Sequence, residues 1–90
     1  MLVFKPTAKF KKDVKRLQKQ GKDLRLLHDV IEILLEDSPL DPSYHDHALI
    51  GNYAGFRECH IAPDWLLIYA KDEHVLTLTA SRSGSHSGVF

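Results

Sequence analysis

Apolar residues at Phe10, Val14 and Leu17 recur at i, i+4 and i+7, the spacing of one helix face. Thr7 stands where such a helix is capped, and Gly21 is placed to end it. Asp23 restarts the pattern with Leu24, Leu27, Ile31, Leu34 and Leu35 on one face, until Pro39 and Pro42 stop it. The second half changes period. In GFRECHIA (55–62), Phe56, Glu58 and His60 alternate with Arg57, Cys59 and Ile61, so the two sets point to opposite faces of a strand. Pro63-Asp64 interrupts, WLLIYA (65–70) resumes, KDEH turns, and VLTLTAS (75–81) reads as a third strand. LVFK (2–5) predicts an edge strand, and HALIG (47–51) a further short one before a Gly-Asn turn. Strands joined by tight turns are antiparallel. The pattern therefore predicts an α+β fold: two antiparallel N-terminal helices packed on a mainly antiparallel four- to five-stranded sheet.

Ninety residues predict one domain over 1–90, with the apolar and charged fractions of an ordinary soluble chain. A domain of this size buries only roughly 60–65% of its unfolded surface, so function must sit on the outside of one compact unit. Net charge is zero but unevenly spread. Residues 1–25 hold nine Lys/Arg against two Asp/Glu, and the remainder three against ten. Such a basic end suits a polyanion, nucleic acid or an acidic protein, with Lys11, Lys12 and Lys15 as candidate contacts; solvation of one helix face accounts for the same lysines. Cys59 is the only cysteine, which forbids an intrachain disulfide and fits a reducing cytosol. It reads as a small strand hydrophobe. Met1 to Phe10 lacks the apolar stretch of a secretory leader, and no apolar run approaches the ~20 residues that span a bilayer. A cytoplasmic protein without membrane contact is expected.

Six histidines are an excess, and four fall at suggestive places: His45, His47, His60 and His86. In a meander, the ends of strands 55–62 and 75–81 lie on one side, because the intervening strand runs back. His60, Asp64, Arg82 and His86 are therefore expected to gather at one edge of the sheet. Two imidazoles serve as base and acid near neutral pH, a guanidinium grips a phosphate by two prongs, and a carboxylate orients an imidazole. That set suits RNA cleavage without a metal or other cofactor. Phe90 and Trp65 offer flat faces for a splayed base. Zinc is the competing reading for His45, His47, His60 and His86. Irregular spacing, the absence of a Cys pair or HExxH, and glycines on both sides of His86 count against a closed ligand cage. Histidines with no shared task are a third possibility that spacing alone leaves open.

The run YHDHALIGNYAGFRECHIAPDWLLIYA, with the ending RSGSHSGVF, resembles the YafQ-type toxins of the RelE/ParE superfamily. The matching pieces are Asp46-His47-Ala48-Leu49-Ile50-Gly51, Gly55-Phe56-Arg57 to Tyr69, Arg82-Ser83-Gly84-Ser85-His86 and Phe90. The two leading helices match in order and length. The resemblance implies a RelE-like fold and a ribosome-dependent mRNA endonuclease that halts translation. It implies an adjacently encoded antitoxin, expected to be of the ribbon-helix-helix type, and promoter DNA contacted only through the toxin–antitoxin complex. Carried over by motif, His86 is the general acid, His47, His60 and Asp64 are its catalytic neighbours, and Arg82 holds the scissile phosphate. Phe90 contacts the base or positions the tail, Trp65 is core with one edge showing, and Glu58 orients His60. The basic first helix becomes a ribosomal-RNA contact. Tyr53 departs from the tryptophan common in that stretch, with an aromatic retained. The rival expectation is a non-enzymatic toxin of the same fold, such as a gyrase poison; the matched histidines argue against it.

Overall fold

The computed structural model describes residues 1–89; Phe90, expected above to meet the base, lies outside them. Its strands are β1 (Val3–Pro6), β2 (His47–Ala48), β3 (Arg57–Ala62), β4 (Trp65–Asp72) and β5 (Thr77–Gly84), and its helices α1 (Ala8–Lys19), α2 (Leu24–Leu35) and a short α3 (His86–Val89). They form one five-stranded sheet in the order β1-β5-β4-β3-β2. The β1–β5 pair is parallel and the other three pairs are antiparallel.

Local chemistry accounts for the helix ends. Thr7 caps α1: its Oγ1 accepts from the Phe10 amide at 3.0 Å and donates to the Ser81 carbonyl at 2.7 Å. Gly21, at φ 79, ends it, with the Gly21 and Lys22 amides bonded back to the Gln18 and Leu17 carbonyls. Asp23 caps α2 by accepting from the Arg25 amide. That helix ends earlier than its prolines require. Asp37 takes φ 58, and the Asp37 and Ser38 amides turn back to the Leu34 and Ile33 carbonyls, the same stop with Asp in glycine's place.

Two strand boundaries and the tail also differ from expectation. β5 begins at Thr77, not Val75, because the Asp72 carboxylate accepts from the His74 and Val75 amides and closes a turn that leaves Leu76 at φ 50. Val75 and Leu76 are exposed. β2 is two residues long, and Gly51–Tyr53 coil into a 3-10 turn. Residues 86–89, expected as a tail, form α3.

The main core lies between the helices and one sheet face, with Phe10, Leu17, Val30 and Leu34 against Cys59, Leu67, Tyr69 and Leu78. The opposite face carries a smaller cluster: Leu66, Ile68 and Val89, flanked by Leu49 and Phe56. Alternation along β3 therefore runs as predicted. Along β5 it is interrupted. Tyr69 pairs with Ala80 and Ile68 with Arg82, so Ser81 is a bulge without a partner. One extra residue reverses the facing of everything after it. Leu78 and Ala80 join the helix-side core, whereas beyond Ser81 it is Ser83 that meets Trp65.

Candidate active site

β2 and β3 pair so that His47 sits opposite Glu58. Two residues on, His60 shares the same strand face. The Glu58 carboxylate is buried between them, its Oε1 3.5 Å from Nε2 of His47 and 3.5 Å from Nε2 of His60. The remaining nitrogen of His47 is also fixed. Nδ1 lies 2.8 Å from the His45 carbonyl, which only accepts, so Nδ1–H donates there and Nε2 is the nitrogen that faces Glu58. His45 itself, at φ 50, sets its ring edge-on to His60, with centroids 5.6 Å apart and planes at 74°. These two rings, with Ser43, Tyr44, Ala62 and Pro63, line a cleft of ≈ 510 Å³.

The sheet register carries this row toward the end of the chain. His60 pairs with Leu66, and Leu66 with Gly84. After Gly84 the chain turns back, and Val89 packs on Leu66 and Ile68, so α3 covers the sheet face that bears the two imidazoles. Gly84, at φ 155, suits this approach, since an L side chain there is strained and crowds Val89. A Cβ there would lie 2.6 Å from the Arg16 guanidinium and 3.3 Å from Val89. His86 begins α3 and is exposed.

Arg82 has a partner that sequence reasoning missed. Its Nε donates to Asp13 at 2.7 Å, and its Nη2 donates to Asp13 at 3.2 Å and to the Gly88 carbonyl at 3.4 Å. Asp13 is buried in α1 and also accepts from Arg16 and from the Ser83 amide. Burial alone would raise its pKa. The contacts from Arg82, the Ser83 amide and Arg16 outweigh burial and hold the carboxyl below its usual range. A carboxylate three residues after Phe10 and four before Leu17, on the apolar face, was the available signal.

Of the remaining candidates, Asp64 is exposed and lines a separate cleft of ≈ 210 Å³ with Arg16, Gln20, Lys22, Ser85 and Gly88. It meets the tail there and does not line the His45–His60 cleft. Trp65 is buried as the core residue expected, with Nε1 donating to the Ser83 hydroxyl at 3.0 Å, and it borders the Asp64 cleft. Glu58 is likewise buried, which suits it to holding imidazoles and not to touching RNA. Lys11, Lys12 and Lys15 are exposed along α1. His28 is exposed beside Glu32, and Cys59 is fully buried, its thiol pushed up to about 12 by burial. Asp46 is a further residue the sequence reading named only within a motif. It accepts from Arg57 Nη2 at 3.0 Å and from the Tyr69 hydroxyl, pinning the loop that carries His45 and His47 to β3 and β4. Burial and Asp46 together push the Tyr69 phenol up.

The family model described as "Bacterial toxin of type II toxin-antitoxin system, YafQ" matches residues 2–90. The mRNA interferase toxin YafQ of Escherichia coli K12 is 36% identical over 85 residues, 93% of this chain and 90% of that protein. A metal-bound toxin from Helicobacter pylori superposes with TM-score 0.94 at 47% identity, over all of both chains. The toxin of an E. coli DinJ–YafQ complex superposes with TM-score 0.91 at 34% identity, over 100% of this chain and 99% of that one. Among the described residues of this chain, no group of three or more His, Cys, Asp or Glu is arranged to hold a metal ion.

Proposed function

We propose that this chain, which belongs to the YafQ family of bacterial toxins of type II toxin–antitoxin systems, is an mRNA interferase: an endoribonuclease that cuts messages and stops translation. The observation that carries this reading is the pair of imidazoles sharing one buried carboxylate, on the sheet face to which the His86 segment returns. On this reading one of His47 and His60 takes the proton from a ribose 2′-OH, the oxygen attacks phosphorus, and His86 protonates the departing 5′-oxygen. Glu58 aims the pair. Arg82, oriented by Asp13, holds the phosphate, and Asp64 supports the tail beside it. Phe90 meets the base. No metal takes part.

The wider assignment goes with it. The chain is one RelE-like domain over 1–90, within the RelE/ParE superfamily. It acts in the cytoplasm on mRNA in the ribosome and is silenced by a cognate ribbon-helix-helix antitoxin encoded beside it; promoter DNA is reached only through that complex. The E. coli DinJ–YafQ complexes support an antitoxin partner. No helix among the described residues is long and apolar enough to cross a membrane.

The test is His86→Ala under tightly controlled expression, with message cleavage mapped by primer extension. Removing one proton-transfer role is expected to slow cleavage by ~10²–10⁴ and to relieve growth arrest. Cleavage by the parent is expected to persist with chelator at levels that spare the ribosome's magnesium. Growth arrest unaltered by His86→Ala would transfer the reading to a non-enzymatic toxin such as a gyrase poison.

A further inference from the structure

The cleft beside His60 is not used by the chemistry above, yet one of its walls is a catalytic imidazole. We propose that this cleft, between Ser43–His45 and the end of β3, is a nucleobase subsite that seats one base of the substrate RNA next to the cut. The proposal rests on the ribonuclease reading and adds the place where sequence preference arises.

Four observations carry it. The volume, ≈ 510 Å³, falls within the ~300–1,000 Å³ of small-ligand sites and admits a purine or a pyrimidine. Its walls are chemically suited: the nearly perpendicular rings of His45 and His60 let a base stack on one ring while meeting the edge of the other. Ser43 and the His45 nitrogens supply donors and acceptors for the base edge, and Ala62 and Pro63 an apolar border. Single-stranded RNA is read in this manner, by unstacked bases laid on flat side chains and hydrogen-bonded at their edges. Third, His60 belongs to the cleft and to the Glu58 pair, so a base seated here brings its sugar and phosphate to the imidazoles. Fourth, His45 is held in the left-handed region while its carbonyl fixes the His47 proton. Non-glycine residues in that region concentrate at ligand clamps, and here the strained residue links base reading to the catalytic histidine.

The experiment compares cut sites across a transcript pool for the parent and for His45→Asn, which tolerates the left-handed backbone and lacks the ring. Relative cutting among sites that differ in the base at the cut is expected to change roughly fivefold to a hundredfold, the range that corresponds to one stacking contact. Retained cutting with the parental distribution of sites would overturn the proposal. A second arm covers a variant that fails to cut. The parent is titrated with 5′-AMP, 5′-CMP and inorganic phosphate while amide resonances are followed by NMR. Shifts at Ser43, His45 and Ala62 with the nucleotides but not with phosphate support the subsite; no nucleotide-specific shifts there would overturn it. If the parent cuts no RNA, the ribonuclease reading falls, while the titration still reports on the cleft.

Discussion

Asp13 brings together parts of the molecule far apart in sequence. Its carboxylate receives Arg16 from its own helix and Arg82 and the Ser83 amide from β5. Its ordinary pKa is 3.8, and in the fold it is lowered. A lowered carboxyl contributes stability above its unfolded value and loses it as pH falls through the folded one. Asp13→Asn is therefore expected to cost about 2 kcal/mol at neutral pH, since the buried site loses its charge-assisted hydrogen bonds to two half-exposed arginines and the Ser83 amide. The gap to the parent should narrow in acid, where the parent's own carboxyl is protonated. Urea denaturation at about pH 7 and about pH 2 checks both parts; an undiminished gap at the lower pH would remove Asp13 as the source of the effect. In the sequence this residue was in plain view on an apolar helix face. Counting it as one acid among nine bases hid it. The histidines were more legible, because the β-strand period alone puts Glu58 and His60 on one side. His45 was not, since its role depends on a left-handed backbone that composition does not announce.

The elements matched the hydrophobic pattern where the pattern was long. Both main helices, β3 and β4 follow from period and caps. The misses have local causes: Asp37 imitates glycine at the end of α2, and Asp72 closes the turn that swallows Val75. The bulge at Ser81 was illegible for a different reason. Its carbonyl is held by Thr7, 74 residues away, so nothing nearby betrays it. Deleting Ser81 removes the bulge and the carbonyl that receives the Thr7 hydroxyl, while Ala80 can stay opposite Tyr69 and Arg82 opposite Ile68, which should destabilise the fold by about 1 kcal/mol. Ser81→Ala keeps the carbonyl and should stay within about 0.5 kcal/mol of the parent. Chemical denaturation of both variants decides it; a deletion variant as stable as the parent would deny the bulge its role.

At the scale of the whole molecule, charge is segregated: exposed lysines line α1, while the acidic residues fall mostly in the rest of the chain. If α1 meets ribosomal RNA, Lys11→Glu with Lys15→Glu should weaken ribosome binding and flatten its salt dependence, each lost phosphate contact removing about 0.7–0.9 from the slope of log K against log salt. Far-UV circular dichroism should be unchanged, because both side chains are exposed. Sedimentation at several salt concentrations gives the slope, and a slope indifferent to the reversals would return these lysines to plain solvation.

The parallel pairing of β1 with β5 has a consequence for how the protein comes into being. The first strand to emerge during synthesis finds its neighbour only in the last, and the Asp13–Arg82 contact likewise joins an early residue to a late one. A nascent chain halted before residue 77 holds neither. The His47–Glu58–His60 row belongs to earlier strands, but Arg82 and the α3 segment that covers that sheet face join it only when translation of the message is nearly complete.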